Sequence, residues 1–276
     1  MKEYLSNRLI ADNSVNIEDE LPLWSAPFGI KLLENINYRQ DISALDIGFG
    51  SGFPLIELAM RLGKGSMVYG IDPCQKAVEK VNNKINFYGI KNIKIIEGIA
   101  ESIPLENQAI DLITSNNGIN NVNDIGKTIS ECSRIIKKGG QFVFTMNLEK
   151  TMFEFYDQFE EVLQELNMEN EIKLMHEHIA KKRPPLDLLT SLIQKHQFII
   201  KDIEYDQFNY NFRNGTAMLN HHQIRFGFMD SWIGLLPEGK VEQIFDMIEK
   251  RLNEQSKIFG GFKLSIPYVM VNAIKQ

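Results

Sequence analysis

Short continuous apolar runs alternate with stretches of helical periodicity through the first half of this chain. Ala44 to Ile47, Met67 to Ile71, Ile93 onward, Ile110 to Ile113 and Phe142 to Thr145 read as short strands, and the β-rich run Ile110, Leu112 and Ile113 has the pattern of a strand buried on both faces. An amphipathic segment from Ile129 predicts a helix that ends at Lys137 and Lys138, cations suited to the negative end of its dipole, before Gly139-Gly140 stops it. Strands alternating with helices predict an α/β fold around a largely parallel sheet.

The second half reads differently. Met152 to Leu166 carries Phe155, Phe159, Leu163 and Leu166 at helical spacing, and Pro185 to His196 predicts another helix with proline near its first turn. Phe198 to Phe212 alternates as FIIKDIEYDQFNYNF, and a strand returns from Gly261 to Ile274, with Pro267 tolerable at an edge. Between these strands, residues 213–259 predict two helices in an insertion far longer than a hairpin needs, expected to pack over the open crevice above the sheet with the helices around Phe155 and Met175. Near the start, Leu21 to Phe28 is apolar but broken by prolines, and Phe28 to Ile36 predicts a short helix. Trp24 and Phe28 on this arm suit either a lid over a cleft or plain core packing. The expected organisation is an N-terminal cap or lid over 1–40, a nucleotide-binding core over 41–148, and completion of the sheet with helical caps over 149–276, all in one compact domain.

Composition narrows the function classes. A 276-residue chain can bury a large core, and a net charge of −6 advertises no basic face for nucleic acid or acidic membrane. The N-terminus lacks the apolar core of a signal peptide, no segment approaches the length of a membrane span, and Cys74 and Cys132 lack metal spacing, so a reduced cytoplasmic protein is expected. No metal site is expected.

The candidate chemistry begins at the end of the first strand. Gly48, Gly50 and Gly52 follow Asp46 in the pattern D-x-G-x-G-x-G, letting the backbone turn tightly and approach a ligand. A dinucleotide fingerprint would place its third glycine at position 53, where this chain has Phe53. Asp72 closes the second strand, where a carboxylate can accept both hydroxyls of a ribose over the turn. Further along stand Gly98-Ile99-Ala100-Glu101 with Pro104, then Ser115-Asn116-Asn117 after the fourth strand, then R-I-I-K-K-G-G at 134–140.

In this order the motifs resemble class I S-adenosylmethionine (SAM) methyltransferases, and the chain is similar in outline to bacterial small-molecule enzymes of the broad ubiquinone/menaquinone-biosynthesis group. The resemblance implies a Rossmann-like seven-stranded sheet, mostly parallel with one antiparallel edge strand, with helical cap insertions. It implies SAM as cofactor, S-adenosylhomocysteine as product, and a cofactor site of Asp46, Gly48, Phe49, Gly50, Gly52, Asp72, Pro73, Ile99, Ala100, Glu101, Ser115 and Asn116. Ile99 stands where the family often has an Asp on the adenine amino group, leaving that contact to Glu101, backbone or water, with Ile99 against the adenine face. The [DN]-P-P-[YF] signature of amino-methylating DNA and protein enzymes is absent, and two scattered cysteines do not match arsenite methylation.

The expected reaction is methyl transfer to oxygen, nitrogen or carbon of a small metabolite; the sequence leaves the oligomeric state open, a homodimer being one option. Candidate acceptor contacts are Trp24, Phe28, Asn117, Tyr156, Arg183 and Arg225; Asn117 precedes a glycine and reads equally as a turn residue. If the cluster around His176, Glu177 and His178 met the cluster of His221, His222 and Arg225, it could bind an anion or take a proton, with His178 and His222 as candidate bases. A nicotinamide-dependent oxidoreductase and a non-catalytic SAM- or partner-binding protein are the alternatives.

Overall fold

The structure, a computed structural model, describes Lys2, Leu5 and residues 23–276. The remaining part of the expected N-terminal cap, including Leu21 and Pro22 of the proline-broken arm, lies outside the described residues.

The first elements in chain order are α1 (Ser25–Glu34), β1 (Ser43–Ile47), α2 (Leu55–Leu62), β2 (Met67–Asp72), α3 (Gln75–Tyr88), β3 (Ile93–Glu97), β4 (Ile110–Asn116), α4 (Ile125–Ile135) and β5 (Ile136–Asn147). There follow α5 (Phe153–Glu165), α6 (Glu169–Lys182), α7 (Leu186–Lys195), β6 (Phe198–Phe212), α8 (Gly215–Asn220), α9 (His222–Gly227), α10 (Met229–Ile233), α11 (Val241–Phe259) and β7 (Phe262–Lys275). The strands form one seven-stranded sheet in the order β3-β2-β1-β4-β5-β7-β6. β1 pairs in parallel with β2 and β4, β2 with β3, and β4 with β5, whereas β7 runs antiparallel to β5 from Gln141↔Ile274 to Asn147↔Tyr268. The order reverses direction at β1, between β2 and β4, and the carboxyl ends of such neighbours open a crevice.

The period of two along each strand divides the core. Leu45, Ile47, Ile113, Phe142 and Phe144 face one layer with Ile129 and Cys132 of α4 and Leu189 and Ile193 of α7. Ala44, Val68, Leu112 and Val143 face the other with Leu32 and Leu33 of α1, Leu55 and Leu58 of α2, and Val81 of α3. Covered on both faces, the central strands lack regular polar alternation and read as largely apolar runs, interrupted by Asp46 in β1 and Asp111 in β4.

Contacts divide the described chain into two units. One is built on residues 23–148, 183–206 and 268–276, and holds both of these core layers. The other comprises Lys2, Leu5, 149–182 and 207–267, with helices α5, α6 and α8–α11. Within this second unit Phe155 stacks on Trp232 at 3.9 Å, and Trp232 Nε1 donates to the Tyr156 hydroxyl at 3.0 Å. No helix among the described residues is long and apolar enough to cross a membrane.

Two local expectations are corrected. α4 ends at Ile135, not at Lys138, and Lys137 and Lys138 fall in β5. The β4–β5 register jumps between Ile110↔Ile136 and Leu112↔Gln141, so the intervening residues bulge outward with Gly139 at φ 76°, and Lys137 Nζ pairs with Asp111 at 2.7 Å. The insertion forms four α-helices, not two, because extended His221 and then Phe228 interrupt the helical path.

Candidate functional site

The site is built at the end of β1. Gly48, Gly50 and Gly52 adopt φ of 74°, 51° and 106°, which wind the backbone back on itself before α2. The loop beyond β4 meets this turn: a Cβ on Gly48 would stand 3.1 Å from Gly118 Cα, and one on Gly118 would stand 2.6 Å from Ile47 O. Backbone therefore passes backbone with no space for side chains at either residue.

Asp72 ends the neighbouring strand and faces the turn. Its Oδ2 accepts from Gly50 N at 2.9 Å and its Oδ1 from Cys74 N at 2.9 Å. Both are charge-assisted bonds that fix the carboxylate, and each oxygen retains a lone pair for a hydroxyl donor. Beside it runs a groove of about 260 Å³ walled by Gly48, Asp72 and Pro73, by residues 98–101, and by 117–118 and 121–123. Ile99 is exposed along this groove, as a residue packing on a flat ring requires, whereas Ala100 is buried.

Asp46 lies wholly buried beneath the turn. Its Oδ1 accepts from Thr114 Oγ1 at 2.7 Å, and its Oδ2 has no hydrogen-bond partner among the described residues. Burial raises its carboxyl, the Thr114 bond opposes that and the charge of Asp72 adds to it, leaving the group pushed up to about 7.

The wall at 98–101 is clamped to α4. Glu101 Oε1 accepts from Asn123 N at 2.7 Å and Asp124 N at 3.1 Å, so this carboxylate anchors the entry to α4 as well as lining the groove. In return, Glu131 accepts from Ile103 N, and Arg134 donates to the carbonyls of Ile103 and Leu105 at 2.8 and 2.7 Å. Arg134 and the Ile103 N–H hold the Glu131 carboxyl below its ordinary range against the opposing effect of burial.

Several other expected residues serve the scaffold. The Phe49 ring is buried in the layer with Leu55 and Val68. Ser115 Oγ, fully buried, donates to Ile47 O at 3.0 Å and ties β4 to the end of β1. Asn116 donates to Ser25 O and accepts from Thr145 Oγ1, positioning α1. Phe28 is fully buried edge-on to Tyr268 at 4.7 Å, with Trp24 against it at 5.8 Å. Asn117 lines the groove in the left-handed region at φ 56°, its Oδ1 accepting from Asn147 N, so turn and wall coincide in one residue.

Arg183, which follows α6 in the chain, is buried and belongs to the unit that carries the groove. His178 on α6, His222 on α9, Arg225 and Tyr156 belong to the helical unit. Within it, the rings of His221 and His222 lie 4.7 Å apart, and burial, with the neighbouring His222, lowers the His221 pKa. Among the described residues no group of three or more His, Cys, Asp and Glu is placed to hold a metal ion. Gly118 and residues 121–123 line the groove without having been named as site residues from sequence; the Asn117-Gly118 turn after a buried strand was the available signal.

Comparison with known proteins converges on this region. Residues 45–144 match the family described as Methyltransferase domain. The demethylmenaquinone methyltransferase of Geobacillus stearothermophilus is 29% identical over 124 residues, 45% of this chain and 53% of the relative, so the chain spans about half the length of the curated relatives it matches. Among solved structures, the YcgJ protein from Bacillus subtilis superposes with a TM-score of 0.60 at 18% identity, covering 91% of this chain and 99% of that one. Geranyl diphosphate C-methyltransferase from Streptomyces coelicolor, solved with Mg²⁺, geranyl diphosphate and S-adenosyl-L-homocysteine, gives 0.57 at 15% identity, covering 100% and 90%. At these identities the structural likeness speaks for the fold.

Proposed function

We propose that this chain is a class I methyltransferase that uses SAM to methylate a small molecule, with the cofactor in the groove beside Gly48 and Asp72, a reading that its matched domain and its sheet support. The observation that carries the reading is Asp72: a carboxylate at the end of β2, fixed by the Gly50 and Cys74 N–H groups at the mouth of a glycine turn, is an acceptor built for two vicinal hydroxyls. Two further features suit the same group. Bare backbone at Gly48 and Gly118 admits close approach, and the buried Asp46 Oδ2 is an unpartnered acceptor beneath the turn.

SAM brings its own leaving group, because its methyl sits on a sulfonium that departs as a neutral thioether. The chain's share is then to hold an acceptor in line with that methyl and to keep water out. Asn117, on the groove wall, is the acceptor contact we favour among residues of the sheet unit. For an acceptor that keeps its proton at neutral pH, His178 and His222 are the candidate bases. Replacing each by alanine should lower turnover about a hundredfold at unchanged cofactor affinity, and full activity in both variants would remove them from the mechanism. Net charge of −6 supports a small-molecule acceptor over nucleic acid, and the two free cysteines support a cytoplasmic location.

Titration of the pure chain with SAM, S-adenosylhomocysteine and NAD, followed by melting temperature and calorimetry, tests the assignment. A ligand of the native state raises the melting point, so SAM and its product should do so and NAD should not. Absence of heat with both adenosyl ligands would refute the reading.

A further inference from the structure

The helical unit carries a cavity of its own, about 650 Å³, lined only by residues from 153–158, 211–212 and 255–263. Its size falls in the range of small-molecule sites. Four phenylalanines wall it: Phe262 is buried, Phe212 partly so, and Phe153 and Phe259 stand 42% and 80% exposed. Gln158 also lines it, and although only 7% exposed its amide makes no hydrogen bond among the described residues. Its amide offers the cavity both donors and an acceptor, within reach of water.

The charges on the lining are not equivalent. Glu154 is committed, accepting from both the backbone N–H and the hydroxyl of Ser265. Asp157 makes no hydrogen bond or ion pair among the described residues; partial burial and the nearby Glu160, Glu154 and Glu161 raise its carboxyl above the usual range, with Lys150 opposing them. Lys263 shares the lining but is exposed, a hydrated point charge on a flexible stem. A cation in the cavity would relieve the crowding of like charge at Asp157, whereas an anion would add to it.

The geometry points to a binding site for an organic ammonium ion with an apolar body, the phenylalanine rings giving the cation–π surface, Asp157 the counter-charge, and Gln158 a hydrogen-bonding amide. This site goes beyond the methyl-transfer reading and stands without it.

Choline and its neutral isostere 3,3-dimethylbutan-1-ol separate charge from shape. Each is titrated onto the full chain by ¹H–¹⁵N NMR in the presence of saturating S-adenosylhomocysteine, whose own affinity is measured in the same samples. Choline should bind about tenfold more tightly than the alcohol. Asp157→Asn should reduce that preference, and Phe259→Ala should weaken both ligands; both positions are exposed, so these variants are expected to fold, which circular dichroism verifies. Equal affinity for the two probes, no binding of either, or choline binding indifferent to both substitutions would overturn the assignment. A change of S-adenosylhomocysteine affinity in either variant would overturn the independence of the site.

Discussion

Asp46→Asn offers the sharpest test of the site's electrostatics. The carboxyl is fully buried and its pKa is raised from 3.8 to about 7, chiefly by burial. In that window the folded chain keeps a proton that the unfolded chain has released. Stability from this group is therefore greatest below pH 4, falls as pH rises towards 7, and is constant above. A shift of about 3 units at roughly 1.4 kcal/mol each corresponds to about 4 kcal/mol lost across the window. Asparagine is isosteric, keeps an acceptor for the Thr114 hydroxyl, and does not titrate. At pH 4 the two proteins should be nearly equal, since the protonated carboxyl and the amide both present a donor where Oδ2 has no partner. By pH 8 the variant should be the more stable by up to about 4 kcal/mol. Urea unfolding of cofactor-free protein from pH 4 to 8, followed by far-ultraviolet circular dichroism, gives the difference curve directly. Other carboxylates cancel in that difference. A flat curve would mean that Asp46 ionises in the fold as it does in water, and that its burial imposes no electrostatic strain.

Asp72→Ala should weaken SAM binding about 10- to 100-fold in calorimetry, from lost charge-assisted bonds to the ribose; unchanged affinity would refute the ribose placement. Gly48→Ala forces an L-residue to φ 74° and brings its Cβ within 3.1 Å of Gly118 Cα, so a loss of about 1–2 kcal/mol from the backbone alone should appear as a lowered melting temperature. Arg134→Met should loosen the groove wall, costing about 1–3 kcal/mol. It should also raise the Glu131 pKa: the stability that Glu131 contributes above its unfolded pKa, and loses as pH falls, would shrink, giving the variant a shallower acid limb.

The sheet was legible where one physical cause dominated. Strands covered on both faces are largely apolar, which is why Ala44–Ile47 and Ile110–Ile113 stand out despite Asp46 and Asp111, and β6 runs from Phe198 to Phe212 as its alternation predicts. Pro185 precedes α7 directly, since its missing N–H and fixed φ suit a helix start. The bulge at Lys137–Gly140 was hidden because it depends on β5's register with β4, a relation between distant segments. The breaks at His221 and Phe228 were hidden for a similar reason: helices of five or six residues form through tertiary packing, with little help from propensity.

The same division runs through the site. Gly48, Gly50 and Asp72 were readable because the backbone itself makes the demand, through positive φ and a carboxylate bonded to the turn. Ser115, Asn116 and Glu101 are of residue types that bind ligands, yet each has a scaffold partner: the Ile47 carbonyl, the Ser25 carbonyl, and the N–H groups of Asn123 and Asp124. Polar side chains near the carboxyl ends of buried strands must satisfy themselves before any ligand arrives, because an unpaired group there costs about 1–3 kcal/mol. Sequence shows which residues could reach the crevice, but the neighbouring backbone decides which are taken. By that criterion a buried polar group left without a partner is more informative than a paired one, and Asp46 Oδ2 beneath the turn is such an atom beside the groove.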